Sequence, residues 1–349
     1  MTPLAEPQTS TIHGLAHSIV VLPYQLGYRP TASLVLLCMG TVTPVGASSG
    51  RVRGSVTLVA RVDLPTSGAP ESVVAGIEPA LSRTDVTSVV ALAFEDGPDE
   101  VTNAASTLRW VADAAGTHDV SVVASARVRG QRFAAVDEGG RTGTWEDLPA
   151  DGDVPAIADY VLAGRAPAPD RAAVESVLRP RDAAYASAVR SRMGGYARVR
   201  AREAARTIST VISQPDGRAL DLEPEEVACV ALALHETTVR DAVLSRLSPP
   251  LAQPGAPFNV AERQVAHELD VCDRVDGPAC FRLAALAAYV PRPQAAPVLT
   301  LVGYLAWQAG EGALANMAIA AALDVDPQYS LARLVDVALS SALRPPPPV

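Results

Sequence analysis

The feature that most constrains the fold is a change of period near residue 139. Up to that point short β-branched apolar runs alternate with stretches of helical spacing. Beyond it every apolar run has helical spacing, with Pro or Gly at nearly every junction. The spacing predicts strands over 33–39 (SLVLLCM), 55–64, 88–94 (SVVALAF), 120–128 and 131–136, and helices over 70–83 and 100–115. The run 88–94 is apolar at nearly every position, as in a strand covered on both faces. The stretch 40–54 is rich in Gly, Ser, Thr and Pro and predicts a loop. The order strand, strand, helix, strand, helix, strand, strand predicts a mixed sheet with at least two right-handed crossovers.

The second region predicts helices over 155–164, 170–178, 182–212, 223–247, 260–274, 278–290, 295–309, 312–323 and 328–343. Gly194-Gly195 is expected to bend or break the third of these. The expected organisation is an α/β domain with a mixed sheet over 1–145 and an all-α domain over 146–349. With 48% apolar but only 4% aromatic residues, both cores must be built mostly from Ala, Val and Leu.

Charge and cysteines narrow the classes of function. The net charge of −9 works against bulk attraction to nucleic acid or an anionic membrane. All 29 cations are Arg. The cysteines at 38, 229, 272 and 280 form no CxxC pair and sit in or beside apolar runs, so buried free thiols in a reducing, cytoplasmic compartment are expected. No secretory leader is read, and no apolar run reaches the roughly 18 residues needed to span a bilayer.

The C-terminal helices carry a possible repeat. Pro293 and Pro327 are 34 apart, as are Ala288 and Ala322, while Gly277 and Gly310 are 33 apart. That period resembles the tetratricopeptide repeat, expected here from about 262 to 343. Gly303 falls where the first helix of a unit needs a small residue, and Ala315 and Ala322 fall where the second helix crosses its neighbours. The earlier unit, about 262–295, has the larger Phe281 in the place of Ala315. Thr300, Tyr304 and Trp307 lie on one helical face, which in such repeats lines a groove for a partner peptide. Core packing of the two aromatic rings is the competing reading.

Catalytic signatures are lacking. There is no phosphate-binding GxxxxGKS, since there is no Lys, and no GxGxxG after a strand. His235-Glu236 and His267-Glu268 begin like HExxH, but Val239 and Val271 stand where the second His belongs. Both histidines are therefore expected on helix surfaces. No catalytic residue, metal site or cofactor is assigned. The strand ends offer a second candidate site, with Arg61, Asp63, Glu95 and Asp96, then Arg127 and Arg129. A third is the basic segment 179–206, where eight Arg face only Asp182 and Glu203. There Arg190, Arg192, Arg198 and Arg200 are candidates for phosphate or nucleic acid.

Five blocks resemble the actinobacterial domain-of-unknown-function 4192 family, in the family's order. They are LPYQLGYRPTASLVLL at 22–37, ARVDLP at 60–65, YVLAGRAPAPDRAAVESVLRP at 160–180, VRDAVLSRL at 239–247 and LAWQAGEGALANMAIAAALDVDPQYSLARLV at 305–335. The family pattern has a Cys-rich stretch after the strand near 133, whereas this chain reads FAAVDEGGRTG there. A metal or redox role for that stretch would not transfer. The resemblance implies the two-part fold and no substrate. In the opening block Pro23 and Gly27 are expected to frame a turn. Taken together, the expectation is a cytoplasmic, non-catalytic regulatory or scaffolding protein that binds a protein partner through its C-terminal helices. The alternatives are a nucleotide- or metal-dependent enzyme or sensor at the strand ends, and nucleic-acid binding by segment 179–206.

Overall fold

The computed structural model describes residues 12–41, 43–44, 52–65, 70–96, 104–194, 200–215, 220–248, 260–269, 275–343 and 345. The chain divides into two compact units, Met1–Asp170 and Arg171–Val349.

The first unit contains α1 (Gly14–Leu26), β1 (Ser33–Met39), β2 (Thr43–Pro44), β3 (Val52–Arg53), β4 (Val56–Asp63), α2 (Pro70–Leu81), β5 (Ser88–Phe94), α3 (Ala104–Thr117), β6 (Ser121–Arg129), β7 (Arg132–Val136), β8 (Glu146–Asp147) and α4 (Pro155–Leu162). Six strands form one mixed sheet in the order β4-β1-β5-β6-β7-β8. β1 is antiparallel to both β4 and β5, β5 is parallel to β6, and β7 and β8 continue antiparallel. The α2 and α3 connections both cross over on one face, as the alternation of elements required. Every residue of β1 is buried, which explains its unbroken apolar run.

The two faces have separate cores. Leu34, Leu36, Ala91 and Ala93 pack with Val73, Ile77, Leu108 and Val111 of α2 and α3. Val35, Leu37, Leu92 and Phe94 pack with Ile19 and Leu22 of α1 on the other.

Three details differ from the sequence-based expectations. Residues 14–26 form a helix in place of a turn: Pro23 lies inside α1, and Gly27 ends it at φ 79°, a left-handed cap that favours Gly. Within the expected loop 40–54, β2 and β3 pair with each other. The first unit also runs past residue 145, to Asp170. The reason is that α4 packs Val154, Ala156 and Ile157 on Val20, Val21 and Tyr24, and that Gly27 and Arg29 share backbone hydrogen bonds with Ala168.

Among the described residues, the second unit is built from helices: α5 (Arg171–Val177), α6 (Ala183–Met193), α7 (Ala201–Ser213), α8 (Pro224–His235), α9 (Thr237–Leu247), α10 (Val260–Leu269), α11 (Gly277–Ala287), α12 (Ala296–Gln308), α13 (Gly312–Val325) and α14 (Ser330–Ser340). Its helix starts are written in the sequence. Asp182 and Asp276 cap α6 and α11 by accepting the amides of Ala184 and Ala279. Glu223 and Glu226 form a reciprocal capping box around Pro224 at the start of α8. In place of one helix over 182–212, α6 ends at Met193 and α7 starts at Ala201, and the expected helix 223–247 is divided at Glu236, whose extended backbone separates α8 from α9.

At the centre lies α12, buried at every position from Ala296 to Ala306. It packs most extensively on α13. A Cβ on Gly303 would lie 2.6 Å from Ile319 Cγ1 and 3.3 Å from the Ala315 carbonyl, so the close crossing requires Gly. Ala315 and Ala322 of α13 are fully buried. The earlier expected repeat unit forms no comparable pair. Among the described residues, α10 packs mainly on α7 and α9, and α11 on α7 and α12.

Candidate functional site

The strand directions bring the start of β1 and the ends of β4, β5 and β6 to one end of the sheet. Arg61, Asp63, Glu95, Asp96, Arg127 and Arg129 all gather there. The pleat then divides them. Ser33 pairs with both Asp63 and Phe94, and Arg61 pairs with Val35, so these side chains share the α1 face. Glu95 follows Phe94 and projects to the α2/α3 face, as do Arg127 and Arg129, which alternate with Val128. Asp63 and Glu95 therefore do not form a joint carboxylate site. Among the described residues, no group of three or more His, Cys, Asp or Glu side chains is arranged to hold a metal ion.

On the α1 face, Arg61 donates through Nε to Ser33 Oγ at 2.9 Å and pairs with Asp63 at 2.5 Å. The Asp63 side chain is 77% exposed. The α2/α3 face holds a denser cluster. The Glu95 carboxylate is 2% exposed and takes two guanidinium groups. Arg127 donates through Nε to Glu95 Oε1, through Nη2 to Oε2 at 3.2 Å, and through Nη1 to Thr142 Oγ1 at 3.1 Å. Arg129 donates to Glu95 Oε2 through Nε at 3.0 Å and Nη2 at 2.5 Å. The Trp145 ring lies under both, its centroid 5.6 Å from the Arg127 guanidinium carbon and 5.4 Å from that of Arg129. Asp96 accepts the Gly130 amide at 2.7 and 2.9 Å and holds the β6–β7 turn beside the cluster.

Two cations thus meet one buried carboxylate, and one of the two is far more open than the other. The Arg129 side chain is 58% exposed and that of Arg127 21%. The sequence marked Glu95 and both arginines. It gave no sign of Thr142 or Trp145, which arrive from the segment that follows β7. A Trp nine residues after a strand end was the one available signal.

The other two candidate sets fare differently. Thr300 is fully buried and gives its hydroxyl to the Ala296 carbonyl, one turn back, at 2.7 Å. Tyr304 is 6% exposed, and its hydroxyl accepts from Gln308 Nε2 at 3.1 Å. Trp307 is half-buried and donates Nε1–H to the Leu343 carbonyl at 3.2 Å. The expected groove face is therefore packed, because α12 is apolar all round and occupies the centre of its unit.

In the basic segment, Arg198 lies outside the described residues. Arg190 and Arg192 are exposed in the last turn of α6. Arg200 lies 3.7 Å from Glu225, and Arg202 and Arg206 both pair with Glu268. Those two pairs hold the Glu268 carboxyl down at about 2, with the hydrogen bonds from Arg206 and then Arg202 as the main causes. His235 and His267 are exposed on their helices, as expected. Cys38, Cys229 and Cys280 are buried and are not joined in disulfides. Burial pushes the Cys38 thiol up to about 12 and that of Cys229 to about 11, so neither is poised as a nucleophile.

The blocks that carry the family resemblance lie on this frame: ARVDLP closes β4, and LAWQAGEGALANMAIAAALDVDPQYSLARLV spans the end of α12, α13 and the start of α14. The family described as "Domain of unknown function (DUF4192)" matches residues 16–346. The chain belongs to the DUF4192 family. Comparison with curated proteins and with solved structures found no match. For a DUF4192 chain the match thus spans both units, and no relative supplies an activity to test against the site. Among the described residues, no helix is long and apolar enough to cross a membrane.

Proposed function

We propose that this protein is a non-catalytic binding protein whose first unit recognises an oxyanion, a phosphate or carboxylate group of a small molecule, at the strand ends. The observation that carries the reading is the pair of guanidinium groups fixed on one buried carboxylate, Glu95, with Arg129 open to solvent. Arg127 is held on both sides by Glu95 and Thr142, so it acts as a fixed support. Arg129 presents its outer edge to solvent beside an aromatic ring, a pairing suited to a planar anion or a phosphate attached to a base. Ligands of open α/β sheets bind beyond the carboxyl ends of parallel strands, where β5 and β6 end here. Among the described residues, this cluster holds no His or Cys, no metal set, and its one buried carboxylate is already paired with two guanidinium groups, which favours recognition over chemistry. The helical unit, with its densely packed α12–α13 core, serves in this reading as a rigid partner-facing scaffold.

The test is a thermal-shift screen of the full chain with inorganic phosphate, nucleoside mono- and diphosphates and dicarboxylates. A ligand at about 100 times its Kd stabilises by roughly 2.7 kcal/mol, a shift of several degrees. Arg129→Ala should abolish the shift; it also lowers the unliganded melting temperature, since Glu95 then keeps Arg127 alone, so the shift is read against the variant's own unliganded curve. An unshifted melting curve across the whole panel, or a shift that survives Arg129→Ala, overturns the reading.

A further inference from the structure

The two edges of the sheet are built differently. One is β8, two residues long, both acidic and exposed: Glu146 and Asp147. A short charged strand is a poor template for a further strand. The other is β4, eight residues long, VTLVARVD, with no Pro in it. Among the described residues, β1 is the strand paired with β4, and α2 is the helix packed on it. All six of its inner positions are half-buried, in contrast to fully buried β1.

The direction of the backbone groups can be worked out. The Glu95 amide donates to the Val128 carbonyl, so residue 95 points to β6 and Phe94 points to β1. Ser33 and Val35, paired with Phe94 and Leu92, point to β5, which leaves Leu34, Leu36 and Cys38 facing β4. Their partners Val62, Ala60 and Leu58 face inward. The bond from the Leu64 amide to the Ala32 carbonyl agrees. Val59, Arg61 and Asp63 therefore turn their N–H and C=O groups outward.

We propose that β4 is a strand-pairing edge through which two copies of this chain join antiparallel across a twofold axis, doubling the six-stranded sheet. The occupant follows from charge. Arg61 and Asp63 are outward-pairing neighbours on the same face and carry opposite charges. In the register that sets Arg61 opposite the second copy's Asp63, the twofold returns the second Arg61 to the first Asp63. Four charges then alternate around Val62 and its symmetry mate. Centring the axis on Arg61 instead sets two arginines against each other, which cross-strand pairing disfavours. A self-complementary strand of this kind meets the requirement of an isologous contact.

The experiment is sedimentation of the full chain over a range of concentrations. A concentration-dependent dimer is expected. Val59→Pro removes an outward N–H at an edge position, where Pro is tolerated, and should give a monomer with an unchanged far-ultraviolet spectrum. Asp63→Arg should weaken the dimer about tenfold, and the double exchange Arg61→Asp with Asp63→Arg should restore it. If Val59→Pro does not fold, the charge exchange decides alone. A wild-type monomer at about 1 mM, well above what a small edge contact requires, overturns the proposal. So does a dimer indifferent to Val59→Pro, or to both charge variants.

Discussion

Glu95 in the first unit and Thr300 in the second are both polar side chains taken out of water, and they are satisfied in opposite ways. Thr300 bonds within its own helix, four residues back. Glu95 is satisfied by Arg127 and Arg129, 32 and 34 residues on and on the next strand. The first arrangement costs the fold almost nothing to assemble and ties nothing together. The second locks β5 to β6, and through Thr142 and Trp145 to the segment after β7. A buried polar group satisfied over a long range is thus both a joint and a concentration of charge, and such a place is where a ligand finds fixed hydrogen-bond donors. The largest expected effect breaks that joint. Glu95→Ala leaves the guanidinium groups of Arg127 and Arg129 without their shared carboxylate; a fully buried set loses about 3–5 kcal/mol, and solvent at the open Arg129 brings the expected loss to the low end, about 3 kcal/mol. Urea unfolding should show it, with the slope unchanged. A loss below about 1 kcal/mol, the range of exposed pairs, would mean that solvent already shares the cluster.

The same contrast explains what could be read in advance. Strands and crossovers were legible because SLVLLCM and SVVALAF have no alternative as buried central strands. The gathering of Arg61, Glu95 and Arg127 at one end followed from strand order alone. What strand order could not say was which face each side chain takes, since that depends on register, and a single step separates Phe94 from Glu95. The α12 face misled for a related reason. Thr300, Tyr304 and Trp307 do share a face, yet the whole sequence APVLTLVGYLAWQ is apolar, and a helix apolar all round belongs in a core. The 34-residue spacing correctly marked Gly303 and Ala315 as a close crossing. It could not show that α10 and α11 take other partners, which is a matter of long-range packing.

If the second unit is held by shape where the first is joined by charge, its weak point is Gly303. Gly303→Val places methyl groups where Ile319 already lies, and overpacking of this kind costs about 1–3 kcal/mol. Thermal unfolding measures it. A companion Ile319→Ala change should recover part of the loss by opening the space. Recovery would establish that the cost is steric, whereas an additive loss would place the strain elsewhere in the α12–α13 contact.

Glu268 sharpens the comparison, being a long-range carboxylate paired with two arginines as Glu95 is, but on the surface of a helical unit. Its folded pKa, about 2, lies below the ordinary value of 4.5. The sign follows from linkage: the folded state holds the proton less tightly, so this group's stabilisation is complete above the unfolded pKa and is lost as the pH falls through the folded one. Between pH 4.5 and 2 the wild-type protein should lose its advantage over Glu268→Gln, and the two stability curves should converge. Curves that stay parallel over that window would show that Arg202 and Arg206 serve the carboxylate no better than water does.

The smallest expected effect is at Thr300, and its size is the point. Thr300→Val keeps the shape and removes a hydroxyl whose acceptor, the Ala296 carbonyl, retains the helix's own amide bond. Since both the donor's need and its benefit vanish together, the change should lie within about 0.5 kcal/mol of zero, as replacing a satisfied buried polar group by an apolar one of the same shape is often near neutral. Guanidinium unfolding resolves such a difference when the midpoint alone is compared. A loss of about 2 kcal/mol or more would match an orphaned polar group and would mean that the hydroxyl also serves a neighbouring helix, which would make Thr300 a joint of the same kind as Glu95.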